Sequence, residues 1–336
     1  MLWIAVDAMG GDEAPALIVD GALTAARHFD MGIALVGPVA ALEHEVARHP
    51  AVDRARLRLV GADDVIGMEE PPASALRRKP AASIRVAAEL VARGDAAALF
   101  SAGHTGATVM AAHGAFGMLR DVDRPALAAT IPTLGRPAIL LDVGASVECR
   151  PAHLVQFAVM GSRYARIALG IDRPRVGLLS IGEEATKGNE LTRDAHQLLK
   201  TSPVQFIGNI EARDVYSGAA DVIVCDGFTG NIALKVSEGL VEMIETRQGE
   251  ELARTVTLRT GTLQARRAMR RLRMQVDYSE YGGAPLLGVC GVVIVGHGRS
   301  SSKAVRNAVA MAYRLASEDV IARIERDLAD AGVPHA

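Results

Sequence analysis

Short runs of β-branched and leucine-rich residues recur along the chain, and most run directly into a glycine-bearing polar turn. They read LWIAVDAMGGD, GIALVG, LRLVGADD, AALFSAGHTG, AILLDVGAS, RVGLLSIGEE, VQFIGNIEARD, ADVIVCDGFTGN and GVVIVGHGRSS. The runs are continuous rather than alternating, as expected for strands buried on both faces of a parallel sheet. Amphipathic segments of helix length lie between them, at 14–28, 83–93, 151–169, 189–200 and 231–247. This succession predicts an α/β fold, a doubly wound and largely parallel sheet with helices on both faces. No repeat, low-complexity tract or Gly/Ser linker divides the chain, so a single α/β catalytic domain over 1–336 is expected. The stretch MEEPPASALRRKP, at 68–80, interrupts the pattern; its prolines and mixed charges predict a surface loop or lid.

In such folds ligands collect at the C-terminal ends of the strands. The turns there carry Asp7, Gly10 and Gly11, then Ser101, Gly103, His104, Thr105 and Gly106, and later Asp226, Thr229, Gly230 and Asn231. The stretch VGLLSIGEEATKGNE adds Lys187 and Asn189. It resembles a phosphate loop, yet Lys187 precedes its glycine and no Ser or Thr follows it, so it is not a Walker A motif. Neither DAMGGD nor GHGRSS fits G-x-G-x-x-G. Anion binding needs only backbone N–H groups at a helix start and a nearby cation. Inorganic phosphate fits such an array, with Lys187 as the point charge.

Other polar residues have two readings each. Asp226 is a helix cap or a site residue. Glu183 and Glu184 bind Mg²⁺ or pair with Lys187; pairing is favoured because no second carboxylate cluster supports a metal. His104, His113 and His297 are bases or structural side chains. Nucleophilic catalysis by a side chain is disfavoured, since no G-x-S-x-G elbow exists and no cysteine adjoins a histidine in sequence.

Bulk composition narrows the classes. Residues are 49% hydrophobic and the net charge is −2, so a sizeable core is expected and a nucleic-acid partner is not. Cys149, Cys225 and Cys290 lie far apart with no C-x-x-C pair, which argues against zinc and against a disulfide framework. No metal and no cofactor are expected. The opening residues carry no basic n-region, and the apolar run at 286–295 is too short to span a bilayer. A cytoplasmic setting follows as the expectation.

One segment does not belong to the strand–turn–helix pattern. In QARRAMRRLRMQV, at 264–276, helical spacing puts Ala265, Ala268, Met269, Leu272 and Val276 on one stripe. Arg266, Arg267, Arg270, Arg271 and Arg273 fall on the other side, within an arginine-rich helical segment at about 250–278. Such a face is a solvated helix surface, a dock for an acidic protein or a contact for anionic lipid; the acidic partner is favoured first.

The segments AVDAMGGDEAP, SAGHTGA, RPALAATIPT, LLDVGASVECRPAHLVQFAVMG, VGLLSIGEEATKGNELT, NIEARD, DVIVCDGFTGNIALK and YGGAPLLGVCGVVIVGHGRSS, in this order, resemble the bacterial PlsX family of phosphate acyltransferases. That resemblance implies transfer of a long-chain acyl group from acyl carrier protein to inorganic phosphate. The product would be acyl phosphate for phospholipid synthesis. It further implies a fold like that of the isocitrate/isopropylmalate dehydrogenases and phosphotransacetylase. A homodimer with peripheral contact at the inner face of the membrane is implied too, with Lys187 and Asn231 as the catalytic residues. The arginine face then becomes the docking surface for the acidic carrier protein. The chain departs from the family pattern at His104, Ser146, Ser180 and Cys290, where Asn is usual, and at Ala212, where Gly is usual. Two other readings stand beside this one: a short-chain phosphate acyltransferase using acyl-coenzyme A, and a non-catalytic module binding acyl carrier protein or membrane. A nicotinamide-dependent dehydrogenase is disfavoured by the missing dinucleotide fingerprint.

Overall fold

A computed structural model describes residues 1–254 and 282–331. The arginine-rich segment at 264–276, with its proposed docking arginines, lies outside the described residues.

The apolar runs form strands of two sheets. The first sheet contains β1 (Leu2–Asp7), β2 (Met31–Gly37), β3 (Leu57–Gly61), β4 (Ala98–Ser101), β5 (Ala126–Leu127), β11 (Ala284–Leu287) and β12 (Val292–Val295), in the order β3-β2-β1-β4-β12-β11-β5. The run from β3 to β12 is parallel, and β11 is antiparallel to both of its neighbours. The second sheet contains β6 (Ala129–Ile131), β7 (Ala138–Leu141), β8 (Arg175–Ser180), β9 (Gln205–Glu211) and β10 (Val222–Val224), ordered β6-β7-β10-β8-β9. Only β6 runs against its neighbour.

The chain passes from one sheet to the other within the single stretch ALAATI. Ala126 and Leu127 pair with β11, whereas Ala129 to Ile131 pair with β7. One apolar cluster takes members from both sheets, including Ile4, Phe100, Leu141, Leu178 and Val222. Burial on both faces explains the continuous apolar runs, because helices cover each side.

The helices are α1 (Ala16–His28), α2 (Val39–Ala47), α3 (Pro72–Arg78), α4 (Ser83–Ala92), α5 (Thr105–Phe116), α6 (Pro151–Ala168), α7 (Glu190–Leu199), α8 (Gly227–Arg254), α9 (Ser302–Ser317) and α10 (Val320–Ala331). Close contact between α1 and α9 depends on Gly21, where a Cβ would stand 2.5 Å from the Cβ of Val305.

The predicted loop at 68–80 instead holds α3. Pro72 occupies the first turn, where a missing N–H costs nothing and a fixed φ favours the helix. Ala75 is buried, and Lys79 pins the segment by pairing with Glu70 and donating to the carbonyl of Val65 at 2.7 Å.

Candidate active site

Strand register sets the two halves of the site. In the second sheet Val224 of β10 lies level with Leu141 of β7 and Leu178 of β8. The turns after these three strands therefore share one edge. They carry Asp142 to Ser146, Asp226 to Asn231, and Ser180 to Asn189.

Asp142 organises the first turn. Its Oδ1 accepts N–H bonds from Leu127 (2.8 Å), Gly144 (3.0 Å) and Ala145 (3.0 Å), and its Oδ2 accepts from Ser146 (2.6 Å). Burial raises its carboxyl to about 6, outweighing those four hydrogen bonds. The same turn approaches the start of α8, where a Cβ on Gly230 would lie 1.9 Å from the carbonyl oxygen of Asp142. Only glycine fits there.

Asp226 is the cap of α8. Its Oδ1 accepts from the N–H of Thr229 at 2.9 Å, and its Oδ2 accepts from the Thr229 hydroxyl at 2.7 Å. The helix begins at Gly227, so Asn231 stands in its second turn rather than at its opening. Asn231 is exposed and packs beside Gly144.

The loop of Lys187 is held from beneath. Asn189 caps α7 by accepting the N–H of Thr192 at 2.9 Å. Buried Asn209 donates to the carbonyl of Glu184 at 2.9 Å and bonds to Nδ1 of His196 at 2.8 Å. Lys187 itself is exposed. The expected pairing with Glu183 and Glu184 does not occur: among the described residues Lys187 makes no ion pair, and its link to Glu184 is through the backbone, N to O at 3.0 Å. Glu183 and Glu184 are exposed, and Oε2 of Glu184 lies over Gly182 beside the stem of Lys187, 3.0 Å from where a Gly182 Cβ would stand.

The first sheet supplies the other half. Asp7 ends β1 and Ser101 ends β4, and the Ser101 hydroxyl donates to Oδ2 of Asp7 at 2.7 Å. Burial pushes the Asp7 carboxyl above its ordinary range. Gly10 and Gly103 touch, since a Cβ on Gly10 would fall 2.6 Å from the nitrogen of Gly103. These glycines allow close packing of two turns; Gly10 and Gly11 do not begin α1, which starts at Ala16. His104 caps α5, its Nδ1 accepting from Gly106 at 3.1 Å and lying 3.4 Å from the nitrogen of Ala107. The Gly106 amide, a candidate anion ligand, is thus engaged by a side chain. Thr105 forms the first residue of α5, and His113 lies in its last turn, away from the strand ends.

The two halves meet at α8. Lys235 Nζ stands 2.6 Å from Nε2 of His297, which follows β12. Two positions on, Arg299 pairs with Glu242 at 3.2 Å. Lys235, Asn209 and Asp142 escaped the sequence reading; the spacing of Lys235 four residues after Asn231 was the available signal.

Neither inner thiol is poised as a nucleophile. Burial, reinforced by the Asp142 charge, pushes Cys149 up to about 12, and burial raises Cys225 as well. No group of three or more His, Cys, Asp or Glu among the described residues could hold a metal ion. A separate cavity of about 420 Å³, lined by Arg163, Arg166 and Arg173 among others, lies at the opposite ends of β8 and β9.

Residues 2–323 match the model of the fatty acid synthesis protein family. The chain belongs to that family. It is 49% identical over 325 residues to a phosphate acyltransferase of Heliobacterium modesticaldum, covering 97% of each chain. It is 47% identical over 333 residues to a phosphate acyltransferase of Acidobacterium capsulatum, covering 99% of each. The protein is accordingly an acyltransferase that uses phosphate. Its fold is similar to that of a phosphotransacetylase from Streptococcus pyogenes, with a TM-score of 0.65, 15% identity and 94% of both chains covered. It is also similar to 4-hydroxythreonine-4-phosphate dehydrogenase from Klebsiella pneumoniae, with a TM-score of 0.52, 15% identity and 94% and 99% covered. These likenesses establish the α/β fold expected from the sequence.

The polar departures from the family pattern all keep partners. His104 caps α5 as described. The Ser146 hydroxyl donates to the carbonyl of Pro125 at 2.8 Å, that of Ser180 to Lys187 at 3.5 Å, and the Cys290 thiol to Met118 at 3.1 Å.

Proposed function

We propose that the enzyme transfers a long-chain fatty acyl group from acyl carrier protein to inorganic phosphate, giving acyl phosphate for phospholipid synthesis. The observation that carries this reading is the exposed Lys187, which makes no ion pair among the described residues, on the same sheet edge as Asn231, where the raised thiols of half-buried Cys149 and buried Cys225 supply no activated nucleophile. Phosphate is then the nucleophile. A phosphate oxygen forms a bond to the thioester carbonyl carbon, the C–S bond breaks, and the proton of monohydrogen phosphate passes to the departing thiolate. Lys187 and Asn231 stabilise the oxyanion that develops, as charge and as hydrogen-bond donor. The turns of Asp7, Ser101, Gly103 and His104 shape the opposing wall, which restricts the approach of the two reactants.

The carrier protein is acidic by the family resemblance, and Arg266, Arg267, Arg270, Arg271 and Arg273 are its proposed docking face. A second copy of the chain is proposed to cover one side of α8. Phe228, Ile232, Val236, Leu240 and Ile244 recur there every four residues and remain between 42% and 65% exposed. No helix among the described residues is long and apolar enough to cross a membrane. The proposed location is cytoplasmic, with peripheral contact at the inner face of the membrane.

The likeness to phosphotransacetylase favours a second reading, transfer from short-chain acyl-coenzyme A. Parallel assays with palmitoyl-acyl carrier protein and acetyl-coenzyme A, each with and without phosphate, separate the two. The proposal expects phosphate-dependent thiol release from the carrier protein. Release from acetyl-coenzyme A alone contradicts it, and carrier-protein binding without release supports a non-catalytic module.

A further inference from the structure

On α8, Asn231, Lys235, Glu238 and Glu242 fall within an arc of about 60° at helical spacing. Three of them reach the loop after β12: Lys235 and Glu238 meet His297, and Glu242 meets Arg299. The ring of His297 has a donor on each side. Lys235 Nζ lies 2.6 Å from Nε2, and the backbone N–H of Arg299 points at Nδ1 from 3.2 Å. A neutral imidazole accepts at only one nitrogen, so these two hydrogen bonds exclude each other. An anion accepting from Lys235 resolves the conflict. His297 then accepts from Arg299 at Nδ1 and turns its Nε2–H toward the same anion.

We propose that Lys235 and His297 form the phosphate-binding pair of the site, converging on the nucleophile one helical turn beyond Asn231. The proposal rests on phosphate being the acyl acceptor. A compact dianion with several acceptor oxygens matches two donors that start 2.6 Å apart, and a charged acceptor strengthens both bonds. Glu238 Oε2, 3.0 Å from Lys235 and 3.8 Å from His297, keeps the ammonium directed at the ring. Because His297 comes from the first sheet and Asn231 from the second, phosphate bound here joins the two halves.

Thermal unfolding of the full-length protein, with inorganic phosphate and with sulfate as control, reads binding without any acyl donor. A ligand bound to the folded state raises the melting temperature. Phosphate is expected to raise that of the parent, and Lys235→Met to abolish the shift. In the transfer assay Lys235→Met should raise KM for phosphate at least tenfold and leave KM for the acyl carrier substrate unchanged. His297→Gln should give a smaller rise. A purely structural latch would lower the melting temperature without phosphate and leave the phosphate KM alone. Lys235→Met with the parent's phosphate shift and KM overturns the proposal, as does a parent that responds to no concentration of phosphate. A phosphate shift lost in the variant, with no acyl transfer by the parent, sustains the pair and overturns the acyl-transfer reading instead.

Discussion

The carboxylate of Asp142 accepts the backbone N–H of Leu127 at 2.8 Å, so a turn of the second sheet is fastened to an edge strand of the first. The same oxygen also takes the N–H groups of Gly144 and Ala145, and Asn231 packs against that Gly144. Sheet contact and site geometry thus depend on one buried acid.

Asp142 should leave a pH signature. Its carboxyl is raised from 3.8 to about 6 by burial, so the folded state holds the proton more tightly than the unfolded state. Its contribution is complete below about pH 4 and declines as pH rises through 6, by up to about 3 kcal/mol. Asp142→Asn does not titrate. Denaturant unfolding should give a parent-minus-variant stability that falls between pH 4 and 7. A difference that stays flat or rises would show that the four N–H groups outweigh burial.

Asn209 positions the Lys187 loop through the carbonyl of Glu184. Asn209→Ala removes that anchor and the partner of His196, at an expected cost of about 1–3 kcal/mol. Turnover should fall about tenfold while the phosphate KM holds, because the loop carries the proposed catalytic charge rather than the phosphate pair. Steady-state kinetics at a temperature where the variant remains folded checks this.

Gly230→Ala places a methyl group 1.9 Å from the Asp142 carbonyl oxygen. Neither the buried turn nor the capped start of α8 has room to shift, so a loss of at least about 3 kcal/mol is expected. Chemical unfolding of the variant measures it.

Much of the fold was legible because a strand buried on both faces must be apolar throughout, as in Val222–Val224 and Val292–Val295. The passage between sheets was not, because ALAATI reads as one apolar run and only its partners divide it. The helix after Pro71 was hidden by prolines that begin it. Site residues were harder. An aspartate before a helix suits a cap and an active site equally, and the contacts of Asp226 show the capping role without excluding the other. Lys235 and His297 lie 62 positions apart, and no local spacing connects them.

The apolar side of α8 gives a prediction about assembly. Val236 is 65% exposed and Leu240 is 52% exposed. If a second copy covers them, Val236→Asp with Leu240→Asp should convert a dimer into a monomer in light scattering. A dimer of unchanged mass would place the interface elsewhere.

Lys187 is proposed to supply the charge for acyl transfer to phosphate. The most direct measurement is phosphate-dependent release of carrier-protein thiol from palmitoyl-acyl carrier protein by the parent, Lys187→Ala and Asn231→Ala. Release by the parent is expected only when phosphate is present. Lys187→Ala should lose about 10²–10³-fold in turnover, with Asn231→Ala also impaired. Full release by Lys187→Ala, or parent release that does not need phosphate, would contradict the proposal.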